Sequence, residues 1–118
     1  WYAVALLVLL ALLLYAASRY MNTSTKALDT ELSTAYTYAE AQDYDGARAA
    51  FTLAAGHAED YSRIWMLLTR RSLVDQLNQT LATIPSYVSE DNMADLAVET
   101  ARARTQVRQI KQSFFSWF

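Results

Sequence analysis

The chain opens on an apolar run, Trp1 to Ala17, reading WYAVALLVLLALLLYAA, and its first charge is Arg19. A helix that crosses a bilayer needs about 20 mostly apolar residues at roughly 1.5 Å each. Residues 1–21 therefore have the length and composition of a transmembrane segment. Trp1 and Tyr2 at one end, and Tyr15 and Tyr20 at the other, match the aromatic positions found at membrane interfaces. Trp1, Tyr2, Leu6, Leu10, Leu14 and Tyr15 are the residues expected in the span, with the lipid bilayer as their partner. Three rival readings fit part of the pattern. Tyr15-Ala16-Ala17-Ser18 offers small residues where a signal peptidase could cut. The run could be the buried core helix of a soluble fold, although it lacks a polar residue to mark a solvated face. It could also pack in the core of a surface filament after processing. The chain starts at Trp1 without Met, so a preceding flank is expected, and its Lys and Arg content would set topology.

Beyond the run, residues 22–118 are enough for one small extramembrane domain. Two glycines, one proline and 53% hydrophobic residues favour helices, because hairpins and tight turns draw on Gly, Asn and Asp. The absence of cysteine excludes disulfides, thiolate metal sites and thiol redox chemistry. A formal net charge of −2 gives no whole-chain attraction to nucleic acid.

Hydrophobic periodicity predicts an all-α protein: a long N-terminal transmembrane and stalk helix continuing into a small antiparallel four-helix bundle of two hairpins. Leu28, Leu32, Ala35, Tyr36 and Ala39 carry the first helix on through about residues 22–41. The chain reverses at Gln42-Asp43-Tyr44-Asp45. A second helix over about 44–69 carries Ala47, Phe51, Ala54, Ala58, Tyr61, Trp65 and Leu68 in the four-three alternation of a bundle seam. Ser72 and Asp75 resemble a capping signal for a third helix over about 72–88, with Leu73, Leu77, Leu81, Ile84 and Val88 inward. Pro85 should break its regular hydrogen bonding. Ser89-Glu90-Asp91 opens a fourth helix over about 90–115, with Met93, Leu96, Thr100, Ala103, Val107, Ile110, Phe114 and Trp117 on its seam.

This connectivity brings two apolar stretches back toward the membrane, Ile64 to Leu68 and Phe114 to Phe118. Basic residues flank both: Arg63, Arg70 and Arg71 beside the first, Arg108 and Lys111 beside the second. Aromatic rings favour the interface, and Lys and Arg can reach lipid phosphates. Trp65, Met66, Phe114, Phe115, Trp117 and Phe118 are the candidate contacts with the interface or a partner; core packing between helix ends is the alternative.

The search for chemistry is mostly negative. His57 is the only histidine, which leaves no convincing constellation for a histidine-activated nucleophile. Glu90, Asp91, Asp95 and Glu99 suit the positive end of the fourth helix; a divalent-ion site is the alternative. Arg102, Arg104, Arg108 and Lys111 complement its C-terminal end and could meet anionic lipid. No phosphate-binding glycine loop occurs. The sequons at Asn22 and Asn78 are read as coincidences. No catalytic residue, cofactor, metal or small-molecule substrate is expected.

Tyr38, Tyr44, Ala47, Phe51 and Ala54 around the first turn resemble the junction of one tetratricopeptide helical hairpin, with small residues at the crossing and aromatic rings beside it. The pattern fails in the next repeat, so this is a single hairpin. Across nearly its whole length the chain resembles a Firmicutes-type bacterial membrane-anchored family catalogued as domain of unknown function 4363. The resemblance rests on the N-terminal anchor, the Asp43 to Ala47 turn, the Ile64 to Leu68 stretch, the Ser72 to Leu77 helix start and the closing Ser113 to Phe118 segment. It implies an anchored helical domain, often encoded beside another membrane protein, and no catalytic residues.

The expected function is a non-enzymatic, single-pass accessory or assembly subunit in a bacterial cell membrane, with its bundle outside the cytoplasm. Its expected partner is another integral membrane protein or a second copy. The alternative is a pilin-like subunit of a surface filament, although Ala5 stands where such helices usually carry an acid.

Overall fold

A computed structural model describes residues 1–116. Four α-helices are formed among them, and no strand: α1 (Tyr2–Glu40), α2 (Tyr44–Leu68), α3 (Arg71–Thr83) and α4 (Met93–Phe115). Short 3-10 turns at Ile84–Tyr87 and Glu90–Asn92 join α3 to α4. At 1.5 Å per residue α1 alone is about 58 Å long. It sets the 65 Å long axis of a molecule only 22 × 18 Å across.

Each helix runs antiparallel to the two beside it. α1 packs on α2 and α4, and α3 packs on the same two from the opposite corner. Side-chain pairs fix the register. Trp65 Nε1 donates to Ser24 Oγ at 2.9 Å, Asn78 Nδ2 donates to Ser62 Oγ at 2.9 Å, and Arg104 Nε donates to Asp29 at 2.8 Å. The two serines are buried, and each passes its own proton to a carbonyl one turn back, Tyr20 O at 2.7 Å and Ala58 O at 2.6 Å. Both hydroxyls thus donate and accept, which offsets the cost of removing them from water.

The core holds small side chains toward the α1–α2 turn, with Ala35, Ala39, Ala47 and Ala54 buried. Phe51 fills the space beside them, and the largest buried side chain, Trp65, lies with Met21 and Phe114 toward the other end. Most of the predicted inward residues are buried, but the stripes drift. Ser62 is buried where Tyr61 was expected, and Val74 where Leu73 was expected; Tyr61 and Leu73 are half-buried. A straight helix turns every 3.6 residues, so a strict four-three reading falls out of phase along its length.

The turns follow from local chemistry. After Glu40, Gln42 takes a left-handed backbone (φ 67°), its N–H meets Ala39 O at 3.0 Å, and the Asp43 N–H meets Tyr38 O at 2.9 Å. These two bonds close α1 as a Schellman motif, with Gln at the position usually held by Gly. Asp43 then caps α2 by accepting from the Gly46 N–H at 3.0 Å. The expected Ser72 cap is corrected: α3 begins at Arg71, its N-cap is Arg70, and no side chain caps it. Ser72 already lies inside the helix, where it cannot serve as the cap. The third helix also ends sooner than expected, at Thr83, because the segment around Pro85 tightens into a 3-10 turn. The fourth begins with a 3-10 turn before α4 proper starts at Met93.

Candidate functional site

α1 has two unlike halves. From Trp1 to Ala16 every residue is exposed; from Met21 onward its inner face is buried by α2 and α4. Among the described residues α1 is the one helix long and apolar enough to cross a membrane by length and composition. The apolar part of α1 is almost wholly outside the bundle core. The run is thus not the core helix of the bundle, which corrects that rival reading. Trp1, Tyr2, Leu6, Leu10, Leu14 and Tyr15 all face outward on this projecting arm. An apolar helix exposed on every side needs a lipid or protein environment that the bundle does not supply.

The bundle end nearest the arm, here termed the base, gathers the second group of candidates. Arg104 pairs with Asp29, and equal rise along antiparallel helices then places Phe115 level with Ser18. The Trp65–Ser24 bond likewise sets Leu67 level with Met21 and Asn22. A cleft lined by Arg70, Leu73, Gln109, Gln112, Ser113 and Ser116 joins the α2–α3 turn to the end of α4.

Within this end the individual roles differ from expectation. Trp65 is fully buried and Phe114 is 4% exposed, so neither offers a contact surface; both are core residues. Their rings sit on the inward stripes of α2 and α4, where the seam spacing had already put them. Met66 is half-buried, and Phe115 is 38% exposed with its ring edge-on to Phe114. Leu67, not singled out by sequence reasoning, is 80% exposed and is the foremost apolar side chain of the base. Its position opposite Trp65 on the α2 wheel was the available signal. Trp117 and Phe118 lie outside the described residues.

At the α1–α2 crossing Ala47, Phe51 and Ala54 are buried and Tyr44 packs partly against them. Tyr38 does not join them. It is 44% exposed, because its position lies at the flank of the stripe formed by Ala35 and Ala39. Midway along the hairpin His57 Nδ1 lies 2.5 Å from Glu31 Oε1, and Tyr61 stands beside the imidazole. Burial, then the charges of Glu31 and Asp60, push the Tyr61 phenol above its usual pKa. The pair bridges α1 and α2, and among the described residues Glu31 is the hydrogen-bonded partner of His57. No group of three or more His, Asp or Glu side chains suited to a metal gathers among the described residues.

Fold and surfaces together define a class: an all-α antiparallel bundle from which one apolar helix projects. More specifically, the chain belongs to the family described as Domain of unknown function (DUF4363), whose model matches residues 15–114. The match begins where the exposed arm gives way to the bundle. No curated protein and no solved structure matches the chain.

Proposed function

We propose that the chain is a non-enzymatic, single-pass subunit of a bacterial membrane assembly, held by the arm of α1 and acting through protein contacts. The observation that carries this reading is the division of one continuous helix into an apolar half exposed all round and a half built into the core. The arm lies in lipid or against the span of another integral membrane protein or a second copy. Because no break separates arm and bundle, a rotation or tilt of the span is transmitted to the bundle through a rigid rod. The hairpin around Asp43, with Ala39, Ala47 and Ala54 at its crossing, supports the reading as a lone tetratricopeptide-like hairpin. In this reading it contributes a helical surface and no peptide groove.

The bundle is placed outside the cytoplasm in the leading form of this proposal. A cytoplasmic bundle is a second reading, favoured by Arg19 and Lys26, because Lys and Arg accumulate on cytoplasmic flanks. The chain has no cysteine of its own, so one cysteine at exposed Ala94 reports the side through an impermeant thiol reagent. Co-purification after cross-linking in mild detergent tests the main proposal. A stable partner or oligomer is expected; a strictly monomeric, partnerless particle released from membranes by alkaline carbonate contradicts it.

A further inference from the structure

Charge is segregated along the bundle. The end near the arm carries Arg19, Lys26, Arg63, Arg70, Arg71, Arg108 and Lys111, which are seven of the ten Lys and Arg residues. Of the twelve acids, Asp75 lies among them, and Asp29 borders them where it lines a cleft with Lys26, Arg108 and Lys111. Asp29, Glu31, Glu59 and Asp60 lie midway with Arg102 and Arg104, and the far end holds the other seven acids with Arg48. The partnering of the cations differs in the same way. Arg48, Arg102 and Arg104 are each bonded to a carboxylate, Asp45, Glu99 and Asp29. Among the described residues no ion pair is made by Arg19, Lys26, Arg63, Arg70, Arg108 or Lys111, and Arg71 reaches Asp75 only at 3.8 Å.

We propose that the base is a docking surface for the anionic headgroups of phospholipids, resting on the reading that the arm is embedded in the membrane. Arg19 marks where the apolar run leaves hydrocarbon, and the register puts Arg70, Arg71 and Lys111 at or just beyond its level. Arg63, Lys26 and Arg108 lie one to two turns higher, within about 10 Å, a distance over which an anionic surface still attracts them at physiological salt. Exposed Leu67 and Phe115 stand on the same end and enter the interface between the cations. The cleft beside Arg70 adds the amides of Gln109 and Gln112 and the hydroxyls of Ser113 and Ser116, donors suited to a phosphoglycerol headgroup. The acidic far end is repelled by the same surface. Lipid charge therefore sets the bundle upright on the membrane.

The experiment uses the full chain with a single cysteine, Ser72→Cys at the base or Ala94→Cys at the far end. Each is spin-labelled and reconstituted into vesicles of phosphatidylcholine alone or mixed with phosphatidylglycerol. Accessibility to a water-soluble nickel reagent should fall at position 72 only in the anionic vesicles, recover in high salt, and stay unchanged at position 94. Arg70→Glu with Arg71→Glu should restore accessibility, and the single Arg63→Glu should do so in part. Each cation lost lowers the docked fraction relative to the undocked by about fivefold, the factor for a basic residue near an anionic surface. Helicity by circular dichroism confirms that these surface variants remain folded. Equal accessibility at position 72 in both lipids overturns the proposal, whether high, meaning no docking, or low, meaning a contact independent of lipid charge. Alkaline carbonate extraction is read separately. Release from both vesicle types sinks the anchor alone, because salt-sensitive protection in anionic vesicles would still establish docking.

Discussion

Gln42 is the residue at which local chemistry and fold are least reconciled. Its left-handed backbone is required by the turn between α1 and α2, and a side chain with a Cβ pays for that conformation. Gln42→Gly should stabilise the bundle by about 0.5–1 kcal/mol after the entropy of glycine is set against the relieved strain. Chemical unfolding in detergent measures it, and a destabilised variant would show that the Gln side chain contributes to the turn. Tyr61 supplies a pH signature. Its phenol titrates above the unfolded value in the folded chain, so folding is favoured below that unfolded value, near 10.0. The contribution is lost as pH rises through the folded pKa, because the unfolded chain ionises first. Stability should thus fall in the alkaline range above about pH 10, and Tyr61→Phe should flatten that fall. An unchanged alkaline slope in the variant would assign the loss to other groups.

At the scale of elements, α4 is tied to α1 by a two-pronged Arg104–Asp29 bridge, with contacts of 2.8 and 3.3 Å. Both partners are about one third exposed, so the pair is worth no more than about 1 kcal/mol despite its geometry. A double-mutant cycle with Asp29→Ala and Arg104→Ala should return a coupling of that size that shrinks in high salt; a salt-independent coupling would point to packing instead. Element by element, the sequence foretold helix type and inward faces because apolar spacing encodes them, and Pro85 did mark the end of regular α3. Ser72 misled because a capping pattern states a preference, whereas the chain enters α3 one residue earlier, through extended Thr69 and Arg70. Trp65 misled in another way. Its aromatic ring suggests an interface, and only the opposing Ser24 hydroxyl, distant in sequence, shows why an indole can be wholly buried there.

At the scale of the whole molecule the decisive property is polarity along one axis: apolar arm, basic base, acidic far end. The arm is legible as a simple run of letters. The basic end is legible in part, as the cations flanking residues 64–68 and 114–118. Its level with Arg19 is not, because the segments near Arg19, Arg63, Arg70 and Lys111 meet only through antiparallel packing. Net charge hides it as well, since the two ends nearly cancel. The central claim is that α1 crosses a bilayer and delivers the bundle base to its surface. A depth profile from single spin labels placed along α1, with the full chain in phosphatidylcholine and phosphatidylglycerol vesicles, measures this directly. Oxygen accessibility should be greatest between Leu6 and Leu13, decline toward Tyr15, and give way to water-soluble reagent at Arg19 and Asn22. A profile dominated by water-soluble reagent throughout Leu6 to Leu13 would contradict the account.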